Sequence, residues 1–314
     1  MDAAMILDLL GSAIRIATPL MFAGLGGIIS ERAGVFAVGL EGMLLCGAFG
    51  AVAVSAILPD TMLGPVAAVL ASAIAGALLA YIIAIVTVRF GADNMVTGLS
   101  ANLLAVGLTS FLFRALFGRG GAPVVYVDLL RPIPIPILSD IPGLGPLLFT
   151  QPPLTYLCLF VAIPLTIVLM RTQLGLRLRA VGDNPMAAYA AGFDPVATRI
   201  GAVVVCGLIA GIGGAVLTLQ QVGTFNDDMV SGRGYLALAA IIVGRWKPFP
   251  MLAACLMFGL AEALQLRIQI YGVPVSSYII QMTPYLLALL VLVTMGRSSR
   301  MPGAIGTIFT REAK

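Results

Sequence analysis

The sequence contains no histidine and few charged residues of any kind. Only 10% of its 314 residues are charged and 60% are hydrophobic, whereas about a quarter of the residues of a soluble domain are charged. Its four cysteines stand singly within apolar stretches: Cys46, Cys158, Cys206 and Cys255. These absences exclude histidine-based catalysis and paired-cysteine metal motifs. We therefore expect buried structural thiols and no metal site.

The sequence also lacks the GxxxxGK[ST] loop that cradles nucleotide phosphates, so we expect nucleotide hydrolysis to reside in another protein. It shows no credible pair of nucleophile and base, which makes a membrane-embedded enzyme the least favoured class and leaves no catalytic residue. The formal net charge is +4. Because the basic residues fall in short connections between apolar segments, membrane topology explains them. We expect no nucleic-acid partner.

Long apolar stretches dominate the chain, and several reach the roughly 20 residues that cross a ~30 Å hydrocarbon core. A shorter apolar piece at 233–244 is typical of a half-helix or re-entrant segment, with a tilted crossing as the alternative. The sequence predicts an all-α, polytopic membrane helix bundle of about eight to ten transmembrane helices, including broken or half-helices, in one domain over residues 1–314. The predicted spans are 5–29, 36–57, 63–88, 95–115, 154–170, 200–221, 251–266 and 277–296.

The distribution of basic residues predicts the orientation of these spans. The N-terminal stretch has no basic region and is too long for a signal-peptide core, so we expect it to remain as the first span. Starting from an external N-terminus places most Lys and Arg residues in inside loops. The loop at about 171–199 is then cytoplasmic and the loop at about 116–153 is external. A further crossing near 22–57 would place the N-terminus inside and leave the orientation of all later segments unchanged.

The external loop at about 116–153 is rich in proline. Proline at this density resists regular helix and favours an extended, semi-rigid segment. A lid or rim and a plain connector are both consistent with it.

A glycine-punctuated stretch at 34–50 contains a single carboxylate, Glu41, between Gly39 and Gly42. Glycines permit a break in a helix, and irregular backbone at membrane depth survives only where protein or a water-filled cavity covers it. An ionised side chain there costs on the order of 3 kcal/mol. Glu41 should therefore face a cavity or a partner, or else cap a helix start near the cytoplasmic interface.

Other polar side chains are scattered in or beside the apolar segments. Neutral amides suit a polar solute, because they replace its hydrogen bonds to water without a high fixed charge. Glu262 and Gln265 would share a helix face, although Glu262 could instead belong to an internal charge network with Arg267. The predicted translocation path comprises Gly39, Glu41, Gly42, Asn94, Asn102, Gln220, Gln221, Glu262 and Gln265.

The loop at about 171–199 carries its own helix signals. Asp183 or Asn184 can cap a helix N-terminus, Pro185 suits the first helical position, and Gly192 permits a left-handed stop. The spacing predicts a helix of about seven residues, roughly 10 Å long. Its small, weakly polar surface fits another protein's groove or the membrane interface.

Three motifs resemble the branched-chain amino acid, ribose and nucleoside ABC permease family. They are SERAGVFAVGLEGML from Ser30, GLRLRAVGDNPMAA from Gly175 and GRGYLALAAIIVGRWKP from Gly232. They occur in the family's order along most of the chain. The first motif and the FGLAEALQLR run from Phe258 resemble the nucleoside and simple-sugar branch most closely. The run Phe36-Ala-Val-Gly-Leu-Glu departs from that branch, which usually has Val-Asn-Ile-Gly-Leu-Glu.

The resemblance implies a permease subunit of an ABC importer that moves nucleosides, or simple sugars such as ribose, across the bacterial inner membrane. It implies a second homologous permease, with a heterodimer expected, an ABC ATPase that uses ATP and Mg, and an external solute-binding protein. The chain itself would bind no cofactor. An ion-coupled secondary transporter and an ABC permease for branched-chain amino acids remain alternatives. The resemblance assigns ATPase coupling to Gly182, Asp183, Asn184, Pro185, Ala188, Ala191 and Gly192.

Overall fold

The chain folds into a bundle of helices, described here from a computed structural model that covers residues 3–58, 63–118, 125–136, 139, 144–270, 277–295 and 301–309. The long helices are α1 (Ala3–Arg32), α2 (Leu40–Ile57), α3 (Gly64–Ala84), α4 (Asn94–Phe117), α6 (Pro153–Arg171), α9 (Pro195–Val216) and α11 (Pro248–Ile270). The shorter ones are α5 (Leu144–Leu148), α7 (Gln173–Asp183), α8 (Pro185–Ala190), α10 (Arg233–Val243), α12 (Ser277–Gln281) and α13 (Thr283–Met295). Single π-helical turns extend α3 over Ile85–Arg89 and α9 over Leu217–Val222.

Seven helices in the described part of the chain are long and apolar enough to cross a membrane, and α10 and α13 are shorter apolar helices. The predicted all-α membrane bundle is therefore confirmed. The 11 residues of α10 give a rod of about 16 Å, roughly half of a hydrocarbon core. The piece at 233–244 is thus a half-helix, as predicted. The chain is a multi-pass membrane protein.

Helices α1, α2 and α9 form the centre of the bundle, where glycines bring backbones into contact. A Cβ on Gly211 of α9 would lie 2.3 Å from the carbonyl oxygen of Ser72 in α3, and one on Gly214 would lie 2.1 Å from that of Leu44 in α2. Since burial of apolar surface drives little association in lipid, such close backbone packing holds the helices together.

The outer faces of α3 and α4 are apolar and exposed. Leu70 and Leu78 of α3 and Leu103 and Phe111 of α4 are among the exposed large hydrophobic side chains. On a membrane protein this surface contacts lipid or another subunit.

The proline-rich loop contains a short antiparallel pair, β1 (Ile133–Pro134) with β2 (Thr150–Gln151). Ahead of it, the N–H groups of Val127 and Leu130 donate to the carbonyl oxygens of Gly223 and Leu219 at 2.8 Å each. The predicted extended backbone is present, and it packs along the end of α9. Residues 119–124, 137–138 and 140–143 of this loop lie outside the described residues.

Helices α7 and α8 lie together at one end of the bundle. This end (residues 171–199) carries the predicted coupling residues, and after that prediction we call it the coupling end. The short segment 301–309, called the tail, lies across the same end, where the N–H of Ala304 donates to the carbonyl oxygen of Gly182 at 2.8 Å. The opposite end of the bundle, near the loop at 125–136, is called the distal end.

Candidate translocation path and coupling surface

The half-helix α10 begins with an unusual backbone. Ser231 and Gly232, which precede it, both have positive φ, at 48° and 81°, and Gly232 offers no side-chain cap. The first N–H groups of any helix lack intrahelical acceptors. Those of α10 therefore need an acceptor from elsewhere in the bundle.

Glu41 of α2 supplies that acceptor. Its two carboxylate oxygens accept from the N–H of Gly232 at 2.6 Å and from the N–H of Gly234 at 2.7 Å, and the residue is only 7% exposed. The negative charge also complements the positive end of the helix dipole. Sequence reasoning left open whether Glu41 meets a partner or caps a helix start. Its partner is the start of α10, 191 residues further along the chain.

Asn102 of α4 accepts a hydrogen bond from the start of α2, as Glu41 does from the start of α10. Its Oδ1 accepts from the N–H of Gly42 at 2.9 Å, and its Nδ2 donates to the carbonyl oxygen of Val38 and to the hydroxyl of Tyr235, each at 3.0 Å. Helix α4 thus caps α2, and α2 caps α10. Gly39 lies within this junction, where an added Cβ would approach the Ile83 side chain at 2.4 Å.

An ion pair between Arg233 and Glu262 stands beside the start of α10. The Nη2 of Arg233 donates to Oε1 of Glu262 at 2.5 Å, and the two side chains are 19% and 16% exposed. Both residues line two separate cavities, of about 420 Å³ and about 200 Å³. The pair therefore forms the wall between them.

The larger cavity lies among α1, α10, α11 and the π-helical turn at the end of α9. Its polar lining includes Arg15, Gln220, Gln221 and Arg267 besides the ion pair. The Nε2 of Gln221 donates to the carbonyl oxygen of Arg15 at 2.9 Å. Within the described residues, the Nε2 of Gln220 and the Nε of Arg233 are buried donors without a protein acceptor. A π-helical turn shifts the register of a helix, and such turns are frequent at functional sites.

The smaller cavity lies between α10, α11, α12 and α13. Gln265, Gln281 and Tyr285 line it together with the ion pair, and the Tyr285 hydroxyl donates to the carbonyl oxygen of Ser231 at 2.6 Å. The predicted residues Gln220, Gln221, Glu262 and Gln265 are thus brought together around two adjacent cavities.

The structure changes two expectations about polar residues, one about the partner of Glu262 and one about the position of Asn94. The alternative network of Glu262 with Arg267 is wrong, because Arg267 donates to Asp8 at 3.0 Å instead; positions five apart on a helix point in different directions. Asn94 lies at the coupling end, where its Nδ2 donates to the carbonyl oxygen of Gly306 at 3.4 Å. Asn94 therefore lines neither of the two cavities.

Sequence reasoning missed Arg233 and Arg15 as lining residues. Arg233 is the first residue of a short apolar helix. Nothing in the sequence indicated its contact with Glu262, because that contact joins two different helices, α10 and α11. Arg15 lies inside a predicted span, where a basic residue is itself a signal of function.

The predicted helix in the 171–199 loop is confirmed as α8. Asn184 accepts the N–H of Ala187 on Oδ1 at 3.0 Å, Pro185 occupies the first helical position, and Gly192 has a φ of 88°. Asp183 and Ala191 are exposed beside it. Helix α7, which precedes it, was not predicted.

Two predicted coupling residues are buried by the chain itself. A Cβ on Gly182 would lie 2.0 Å from the carbonyl oxygen of Arg32, and Ala188 is 3% exposed. A bulky charged side chain at Ala188 would therefore disrupt the packing of α8. The large side chains exposed near α8 are Met186, Tyr189 and Phe193.

Comparison with known families decides the class of this protein. Residues 9–295 match the family described as branched-chain amino acid transport system / permease component. The chain belongs to this family. The match covers both the α10 junction and the coupling end.

Two proteins named as ABC transporter permeases resemble the chain over nearly its full length. The nucleoside ABC transporter permease protein NupC of Lactococcus lactis is 36% identical over 94% of each chain. The guanosine ABC transporter permease protein NupQ of Bacillus subtilis is 33% identical over 99% of each chain. The same two organisms contribute the more distant permeases NupB, at 24%, and NupP, at 28% identity.

Membership in this permease family fixes the chain's part in transport. It is the membrane-spanning subunit of an ABC importer, and the ATPase is a separate subunit. An ion-coupled secondary transporter and a membrane-embedded enzyme are not favoured.

The α10 cap predicts a difference between two isosteric substitutions in this permease. Glu41→Gln turns an NH₂ group toward the buried N–H groups of α10, and an unsatisfied buried donor costs about 1–3 kcal/mol. We expect the melting temperature of the detergent-solubilised permease to fall by on the order of 5 °C.

Asp93→Asn is the matched control. Asp93 also accepts an N-terminal N–H, that of Val96 at 2.9 Å, but its cap is exposed, and Asn is an equally good cap. A melting temperature that falls equally for both substitutions would contradict the assigned role of Glu41.

Proposed function

We propose that this permease imports nucleosides across the bacterial inner membrane. The observation that carries the proposal is its similarity, over nearly the full length of both chains, to permeases named for nucleoside and guanosine transport at 36% and 33% identity. Simple sugars such as ribose are the second candidate. They are supported by a 34% identical relative from Haloferax volcanii, named a putative glucose ABC transporter permease protein.

The chemistry of the two cavities suits such solutes. A space of about 420 Å³ is within the usual range for a small-molecule site. Gln220, Gln221 and Gln265 offer donors and acceptors to sugar hydroxyls and base edges. The flat guanidinium of Arg233 and the ring of Tyr285 offer faces on which a base can stack.

The path for the solute, in this proposal, follows the distal side of α10 through these cavities. Asn226, Asp227, Asp228 and Ser231 form an exposed polar stretch before α10. Irregular backbone of this kind is tolerated at membrane depth only beside protein or water. A water-filled path or a second permease subunit therefore covers it. Breaking the Arg233–Glu262 pair would join the two cavities.

The remaining subunits follow from the way such importers are built. A second, homologous permease would complete the membrane unit as a heterodimer, which agrees with the two permeases named in each of Lactococcus lactis and Bacillus subtilis. An ABC ATPase would use ATP and Mg, and an external solute-binding protein would deliver the solute. This chain would bind no cofactor and would contact the lipid bilayer.

The exposed surface around α8 would receive the ATPase. Met186, Tyr189 and Phe193 are large apolar side chains that are 48%, 42% and 39% exposed. A short rod with an apolar exposed side fits a hydrophobic groove in a partner. We thereby assign coupling to α8 and its capping residues Asn184 and Gly192. The buried residues Gly182 and Ala188 hold α8 in place.

Transport by the complete complex tests the substrate. We expect this permease, reconstituted in proteoliposomes with its second permease, ATPase and solute-binding protein, to take up radiolabelled guanosine or uridine when ATP is supplied. Ribose and leucine are the comparison solutes. Uptake of leucine alone would refute the proposal in favour of branched-chain amino acids, and uptake by this chain alone would refute an ATP-driven importer.

The path is tested by removing the carboxylate between the cavities. Glu262→Gln leaves Arg233 as an unpaired, largely buried cation, which is costly, so we expect uptake to fall about tenfold while the complex still assembles. Asp8→Asn is the matched control, because it breaks the Asp8–Arg267 pair, whose carboxylate side chain is 77% exposed. Exposed pairs contribute little. Equal uptake by the Glu262→Gln variant and the wild type would remove the cavities from the path.

Coupling is tested at Met186, which can be changed without disturbing the loop. Met186→Glu places a charge in the proposed apolar contact, so we expect nucleoside uptake per ATP hydrolysed to fall about tenfold. Leu174→Glu, on exposed α7, is the control. Normal uptake by the Met186 variant would move the contact away from α8.

A further inference from the structure

The tail at 301–309 joins parts of the coupling end that the chain sequence keeps far apart. The N–H of Gly306 donates to the carbonyl oxygen of Gly34 at 2.9 Å, and the N–H of Ala304 donates to that of Gly182 at 2.8 Å. The ring of Phe309 lies 5.9 Å from the ring of Tyr189 in α8. The tail thus contacts both α8 and the connection between α1 and α2.

Arg199 of α9 holds the tail against the bundle through hydrogen bonds. Its guanidinium donates to the carbonyl oxygens of Thr307 at 2.7 Å, Ala304 at 3.3 Å and Ala33 at 3.2 Å, and the residue is 3% exposed. A buried Arg costs free energy unless its donors are satisfied. Here three backbone carbonyls, two of them from the tail, satisfy it.

The tail also reaches α4. Asn94, the first residue of α4, donates to the carbonyl oxygen of Gly306, and the Ile308 side chain lies beside Gly91. Helix α4 carries Asn102, and the α1–α2 connection leads directly into α2, which carries Glu41. Those two residues cap α2 and α10 and so position the start of the half-helix.

We propose that the tail, fixed by Arg199, is the element that transmits movement of α8 to α2 and α4. Arg199 is a positioning residue, since it acts through the backbone of the tail. Energetic coupling can be carried by an element whose position both sites affect. The tail contacts α8 through Phe309, and it contacts the α1–α2 connection and α4 through Gly306. The inference rests on the proposed function of α8.

Arg199→Gln in the reconstituted complex tests this inference. Gln cannot reach three carbonyl oxygens, so the tail should loosen from the bundle. We expect nucleoside uptake per ATP hydrolysed to fall about fivefold while ATP hydrolysis persists, and Arg199→Lys, which keeps the charge, to recover part of it. Arg171→Gln, an exposed arginine at the end of α6, is the matched control. An assembled Arg199→Gln complex with the wild-type ratio of uptake to hydrolysis would overturn the inference.

If the Arg199→Gln complex fails to assemble, Phe309→Ala tests whether the tail transmits movement of α8. This change removes the ring contact with Tyr189 at the edge of the fold and leaves the anchoring hydrogen bonds in place. We expect the ratio of uptake to hydrolysis to fall about twofold, and an unchanged ratio would overturn the inference.

The Met186→Glu variant separates this inference from the proposed function. If Met186→Glu uncouples transport and the tail variants do not, α8 couples without the tail. If neither uncouples transport, the coupling role of α8 itself fails.

Discussion

The structure depends on one requirement: each helix that begins within the bundle must find acceptors for its first N–H groups. The half-helix α10 has no cap of its own, and Glu41 of α2 accepts from Gly232 and Gly234. Helix α2 in turn begins against Asn102 of α4. Water cannot replace such partners in a hydrocarbon environment. The relative positions of α4, α2 and α10 are therefore fixed by polar contacts at the starts of α2 and α10.

The same contacts explain why polar cavities can exist in an otherwise apolar bundle. Because α10 covers only half the thickness of a membrane, space remains on its distal side, and the π-helical turn after α9 directs Gln220 and Gln221 into that region. The Arg233–Glu262 pair divides this space. Close glycine packing among α2, α3 and α9 provides a rigid support on the other side. A change that repositions α10 would alter the cavities without unpacking the centre.

The coupling end shows which parts of a local prediction depend on packing. Asn184, Pro185 and Gly192 form the capped helix that their order indicates, since capping depends on neighbours within a few residues. Which of its residues are available to a partner depends on distant chain segments. Ala188 is enclosed by the fold and Gly182 contacts the end of α1, while Met186 is exposed.

The sequence by itself determined the membrane-spanning helical class, the half-helix at 233–244, the capped helix near 185 and the resemblance to ABC permeases. These features depend on apolar length, helix signals and motifs, which are local. Only the tertiary structure decided that Glu41 caps α10, that Glu262 pairs with Arg233 and not with Arg267, and that the tail lies against Arg199. Those pairings join residues 29 to 193 positions apart, and packing of the whole bundle is what brings them together.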